Sequence, residues 1–285
     1  MIEQCFLMTT NQDGGHPVRT LFATYRRNRL TILHAYPFTF FISTILGGFF
    51  TVAFPMAIYF FMFGGQVSDT FVYYANTNDF VSFVTLGGAM NALAVSSTLS
   101  VSRAYITEIR EGTLEPFLLS PASRIGYYLG CMSEQFGRSL LQFMIIVAVG
   151  IPFGLRFPLY ILPQFTFVIL LASFSFLALS IPLSAFMVST RDTYISQNTV
   201  FTAMLLLCGV MFPIEYLPNA LQVVANIFPM TPILQVFRAV VLSGETLAQN
   251  YIAIIHCFAL SVFYVMSGAV CVKLAEKKLI ENVYA

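Results

Sequence analysis

The chain has 285 residues, of which 58% are hydrophobic and only 9% charged, and its mean hydropathy is +0.79. A soluble domain carries about 25% charged residues, so a water-soluble globule is excluded and a polytopic membrane protein is indicated. The formal net charge of +1 names no partner and gives no reason to expect nucleic acid; the distribution of charge along the chain says more.

The opening stretch "MIEQCFLMTTNQDGGHP" lacks the basic start and long apolar core of a signal peptide. In "PVRTLFATYRRNRLTILHAYP", Leu21, Phe22, Tyr25, Leu30 and Leu33 can share one helix side while Arg19, Arg26, Arg27 and Arg29 supply another. Such a helix suits a membrane surface, where anionic lipids attract arginine; an ordinary basic flank that only sets topology is compatible with it. Residues 1–36 therefore form a cytoplasmic N-terminus, and 37–285 one membrane domain.

A helix spanning the hydrocarbon needs about 20 mostly apolar residues, with every backbone group bonded internally. Six stretches qualify, giving an all-α fold: Pro37–Phe63, Phe80–Ser102, Tyr127–Ile151, Leu159–Val188, Ser196–Phe212 and Tyr251–Val272. The first contains Pro55, which predicts a kink, and Ser43, Gly47 and Thr51 at four-residue spacing. The second carries a stripe of small residues, Gly88, Ala92, Ser96 and Ser100, of the kind that lets helix backbones approach in lipid. Packing within the chain is its first reading, and a dimer seam or cavity wall its second. Asn91 and Asn198 are polar groups within spans that can face a cavity or bond a neighbouring helix.

Between the second and third spans lies "REGTLEPFLLSP". Gly112 can break the preceding helix. Thr113 can cap a new one, with Glu115 in its first turn and Pro116 early enough to be tolerated. Leu114, Phe117 and Leu118 then fall on one face, and Ser120–Pro121 ends the element. This predicts a helix of about two turns whose acids, with Glu108 and Glu111, meet a basic partner; a plain solvated loop is the alternative. Glu134 and Arg138, one turn apart in the third span, read as a structural pair.

Before the last span, "GVMFPIEYLPNALQVVANIFPMTPILQVFRAVVLSG" holds Pro213, Pro218, Pro229 and Pro232. It predicts a short helix over Asn219–Phe228 and a second starting at Thr231–Pro232 and stopping at Gly244. Ten residues reach roughly 15 Å, half the hydrocarbon thickness, so these are half-spanning elements forming an outer lid, or two interfacial helices in a surface loop. An even number of spans puts both termini on one side. Arg19, Arg26, Arg27, Arg29, Arg103, Arg110, Arg124, Arg138, Arg191, Lys273, Lys277 and Lys278 fall there, against Arg156 and Arg238 opposite, which makes that side cytoplasmic.

"EIREGTLEPFLLSPASRIGYYLG" resembles the cytoplasmic loop of type-2 permeases of ATP-binding-cassette (ABC) transporters, and the proline-rich stretch at 209–244 is similar to the segment before that family's last span. The resemblance implies a multi-pass protein of a prokaryotic plasma membrane acting in export. It implies a coupling helix against separate ATPase subunits, carried over onto Glu108, Arg110, Glu111, Gly112, Thr113, Leu114, Glu115 and Phe117. It implies an outer re-entrant gate around Pro213, Pro218, Pro229, Pro232 and Arg238, and a second permease, as a homodimer. Lipid-linked polysaccharide exporters are relatives, but their N-terminal patterns are not evident here. ATP and magnesium would be bound by the partner subunits, since no GxxxxGK[ST] phosphate loop occurs in the chain.

Two other classes fit less well. A secondary transporter calls for repeats and buried acids, and the chain shows no clear repeat and almost no buried acid. A membrane enzyme calls for a constellation such as HExxH; His16, His34 and His256 are scattered, and the five cysteines show neither metal spacing nor a disulfide framework.

Overall fold

The computed structural model describes residues 16–35, 37–113, 116–117, 120, 122–155, 161–190 and 194–284. Among them every regular element is helical. Leu114, Glu115, Leu118, Pro121, Arg156 and Arg191 lie outside the described residues, as does the chain before His16.

An amphipathic helix α1 (Pro17–Ala35) precedes the first span α2 (Pro37–Phe63), which contains Pro55. After a glycine turn, α3 (Asp69–Ala75) starts on the hydroxyl of Ser68, which accepts from the Phe71 amide at 3.3 Å. The second span α4 (Phe80–Thr98) starts on the carboxylate of Asp79, which accepts from the Ser82 amide at 3.0 Å. It passes through Leu99 into the polar α5 (Ser100–Arg110), and Gly112 ends the run in the left-handed region (φ +68°). The third span α6 (Arg124–Gly150) is capped by Ser123, and α7 (Leu162–Thr190) is the fourth.

Among the described residues five helices are long and apolar enough to cross a membrane, or six if the bent pair α9 (Asn219–Ala225) and α10 (Met230–Leu242), at 90° to each other, counts as one. The predicted fifth span over Ser196–Phe212 ends earlier than expected. Its helix, α8 (Tyr194–Leu207), has 14 residues, about 21 Å against roughly 30 Å of hydrocarbon. It stops because Gly209 turns the chain at φ +75°. Thr231 also differs from expectation: it lies inside α10, and its hydroxyl donates to the Ala225 carbonyl at 2.7 Å, closing the corner between α9 and α10. The last helix, α11 (Tyr251–Tyr284), continues well past the predicted end at Val272.

The core gathers around α10, which carries Phe237 between Phe143 of α6 and Phe165 of α7 at ring-centroid distances of 6.0 and 5.6 Å. Edge-on aromatic contacts of this kind add to the burial of large apolar rings. α2 and α11 instead turn Phe50, Phe54, Ile255 and Phe263 outward, as lipid-facing helices do. Polar side chains join neighbouring spans: Ser97 donates to Ser139 at 3.1 Å, and Ser261 to Ser175 at 2.7 Å.

α1 is seated on α6 by two glycines four residues apart. A Cβ on Gly130 would meet the Thr24 Cβ at 2.7 Å and the Leu21 carbonyl at 2.8 Å, and Gly126 faces Pro17 and Thr20 as closely. Gly130→Val is therefore expected to lift α1 from α6 at a cost of about 2 kcal/mol, read as faster proteolysis at the arginines of α1 while the spans stay protected.

Candidate functional site

The polar connector after α5 is organised around one buried carboxylate. Glu108, 5% exposed, takes the Arg27 guanidinium on Oε1 at 2.5 Å and the Tyr127 hydroxyl on the same oxygen at 3.3 Å. The Thr113 hydroxyl donates to its Oε2. The Thr113 amide donates to the Glu108 backbone carbonyl at 2.9 Å, and the Phe117 amide to the Thr113 carbonyl at 3.1 Å. The Thr113 carbonyl thus opens a helical turn, and its hydroxyl donates to Glu108. The Phe117 ring rests on Tyr127, with centroids 4.5 Å apart.

Electrostatics make this node strong. Burial by itself lowers the basicity of Arg27, but Glu108 and Tyr127 together outweigh it and hold the guanidinium above its ordinary range. Every oxygen of a buried carboxylate needs a donor, and here both have one. The node ties together α1 (Arg27), the end of α5 (Glu108), the connector (Thr113, Phe117) and the start of α6 (Tyr127).

This arrangement divides the predicted coupling residues. Glu108 is turned inward, whereas Arg110 and Glu111 are exposed and Gly112 forms the corner between them and Thr113. Leu114 and Glu115 lie outside the described residues. Among the predicted membrane-surface arginines, Arg19, Arg26 and Arg29 are exposed, while Arg27 is drawn into the node. Tyr127, Gly126 and Gly130 have structural parts that the sequence reading passed over, although the four-residue glycine spacing is a recognisable close-packing signal.

At the other end of the bundle, Arg238 of α10 is a clasp. Its Nη1 donates to the Gly209 carbonyl at 2.6 Å, and its Nη2 to the carbonyls of Val210 at 2.7 Å and Phe83 at 3.1 Å. Its guanidinium lies 3.4 Å from the centroid of the Phe83 ring. A planar fork of five donors suits this set of carbonyls: those of Gly209 and Val210 lie where the chain turns after α8, and that of Phe83 lies near the start of α4. Pro229 caps α10 and Pro218 caps α9; Pro213 precedes the single turn Ile214–Tyr216, and Pro232 is buried in the first turn of α10. The predicted gate residues are thus gathered around the α8–α10 corner, and Arg238 is the one that holds it.

The small-residue stripe packs inside the chain at Gly88, which meets Thr51 of α2, while Ser100 is buried. Gly87, one residue earlier, has the tighter place against Val210 and Arg238. Ala92 and Ser96 are half-buried, Asn91 has its Oδ1 buried without a hydrogen-bond partner among the described residues, and Asn198 is exposed. The expected Glu134–Arg138 pair forms, with Oε1 to Nε at 2.9 Å.

The sequence profile of a family described as "ABC-2 type transporter" matches residues 65–242, well over half of the chain. The chain belongs to the ABC-2 type transporter family. It is also similar to Nodulation protein J of Sinorhizobium fredii, 27% identical over 209 residues that cover 70% of this chain and 75% of that protein. Nodulation protein J of Rhizobium meliloti is 31% identical over 111 residues, 39% of this chain and 41% of the relative. The match to the ABC-2 type transporter profile contains both the Glu108 node and the Arg238 clasp, except for Arg27, which reaches in from outside it. This ABC-2 chain is therefore a multi-pass membrane permease, and it carries no ATPase phosphate loop of its own.

Proposed function

We propose that this chain is the permease subunit of an exporter driven by ATP hydrolysed on separate subunits. Those subunits bind ATP and magnesium, and two permeases, as a homodimer, flank the substrate path. The Lys/Arg asymmetry along the chain favours a topology with both termini and the connector after α5 on the cytoplasmic side of a plasma membrane; in it α8 serves as a sixth, shorter crossing and the bent α9–α10 pair as a re-entrant outer lid.

The observation that carries the coupling role is the Glu108 node. Arg110 and Glu111 are exposed, and directly behind them a buried, ion-paired cluster connects to α1 and α6. A push on the exposed turn is delivered to three helices together, so partner binding can shift the bundle between two states.

The test is charge reversal at the acids of the connector. Glu111→Lys combined with Glu115→Lys is expected to leave the protein in the membrane, reduce co-purification of the ATPase subunit at least tenfold, the scale of about 1.4 kcal/mol, and remove substrate stimulation of ATP hydrolysis in nanodiscs. Unaltered assembly together with unaltered stimulation would rule the coupling role out.

A further inference from the structure

α1 is amphipathic, yet it is seated on the bundle by its polar side. Thr20 and Thr24 lie against Gly126 and Gly130 of α6, the Asn28 amide donates to Cys131 Sγ at 3.5 Å, and Arg27 reaches Glu108 at 2.5 Å. At about 100° per residue these side chains share one arc of the helix. The opposite arc, about 120° wide, carries Val18, Phe22 and Leu30 together with Arg19, Arg26 and Arg29. All of these are exposed, Val18 to 61% and Phe22 to 65%. A helix that packs only on its own protein turns its apolar stripe inward. α1 does the reverse, so its apolar side chains are left for something outside this chain.

Two observations name the occupant. No Asp or Glu occurs between Pro17 and Ala35, so the outward arc is cationic and apolar with no acid among its groups. α1 ends at Ala35, and the first span α2 begins at Pro37 and turns Phe38 and Ile42 outward, 80% and 55% exposed. The outward arc therefore runs up to the point where the chain enters the hydrocarbon. At that boundary apolar side chains enter the acyl region while guanidinium groups stay with the phosphates. The attraction is that of a charged surface for nearby arginines and requires no ion pair within the protein.

We propose that the outward face of α1 is a docking surface for anionic phospholipid, with Phe22 at the acyl boundary and Arg19, Arg26 and Arg29 among the headgroups. The inward face of the same helix carries Arg27, so the lipid surface and the Glu108 node hold α1 from opposite sides. The docking is a property of the permease alone and does not rest on the ATP-driven reading.

The chain contains no tryptophan, so Phe22→Trp installs a single fluorescent reporter on this face. The full chain is placed in nanodiscs of phosphatidylcholine and phosphatidylglycerol in equal amounts, with brominated acyl chains on one lipid or the other. Phe22→Trp is expected to be quenched by both, and about threefold more strongly by brominated phosphatidylglycerol, which the arginines enrich locally. Replacing Arg19, Arg26 and Arg29 by Gln in the Phe22→Trp chain should abolish that preference while quenching persists, and replacing the same three by Lys should retain it. Phe263→Trp, on the outward side of α11, is the reference for a folded chain and should be quenched by both lipids without preference. An unquenched Phe22→Trp beside a quenched Phe263→Trp would place the face against protein or water and overturn the proposal. Equal quenching of Phe22→Trp by the two lipids, or a preference that survives the loss of all three arginines, overturns it as well.

Discussion

Arg27→Glu is expected to be among the most damaging single substitutions in this protein. It leaves the 5%-exposed Glu108 facing a second carboxylate, with only the Tyr127 and Thr113 hydroxyls as donors. Removing one partner of a buried ion pair costs about 3–5 kcal/mol, and like charges at this distance add to it. α1 should detach from α6, the apparent unfolding midpoint in nanodiscs should fall sharply, and substrate-stimulated ATP hydrolysis by the assembled complex should disappear. The double variant Arg27→Glu with Glu108→Arg restores opposite charges at the same place and should recover more than half of the lost stability. A double variant no better than Arg27→Glu would show that size and packing, rather than the charge pair, hold the node. Glu108→Gln is the milder control: it removes the charge but keeps one acceptor oxygen, while its NH2 must donate to the other hydroxyl instead of accepting from it, and it should cost about 2 kcal/mol.

Gly87→Val should be at least as severe, at the opposite end of the bundle. A Cβ at that position lies 2.5 Å from Arg238 Nη2 and still closer to the Val210 carbonyl, which is backbone and cannot yield. The added side chain must expel Arg238 from the carbonyls of Phe83, Gly209 and Val210. Overpacking costs about 1–3 kcal/mol and each orphaned buried carbonyl about as much again, so loss of folded, monodisperse protein is the expected readout. Gly88→Ala gives the contrast. Its new methyl meets the end of the Thr51 side chain, which can rotate, and the effect should stay near 1 kcal/mol. Arg238→Lys should fall between the two, because an ammonium cannot reproduce a fork that serves three carbonyls. Equal effects of Gly87→Val and Gly88→Ala on the unfolding midpoint would remove the clasp from this account.

The sequence by itself determined the features that depend on local composition. Apolar length sets the spans: α2 has the predicted bounds Pro37–Phe63, and α6, α7 and the start of α11 follow the expected apolar runs within a few residues. Gly112 and Gly244 end helices as anticipated because both need the left-handed backbone that glycine adopts without strain. The connector and the proline-rich corner were legible because breakers and caps act on their immediate neighbours.

Only the tertiary structure decided which charges meet. Arg27 and Glu108 are 81 residues apart, and Arg238 and Phe83 are 155 apart; no periodicity spans such separations. Charge patterning placed Arg27 with Arg26 and Arg29 on a membrane-facing side, and Glu108 with the exposed acids, because a helix pattern shows which side is polar but not which polar group another helix will cover. The same limit hid Gly87 behind the regular stripe that begins at Gly88, and let an apolar run continue to Phe212 although the Gly209 turn and the Arg238 clasp end α8 at Leu207. Burial free energy is additive along a sequence and can be read from it, whereas pairing energy belongs to two distant residues and exists only once the chain has brought them together.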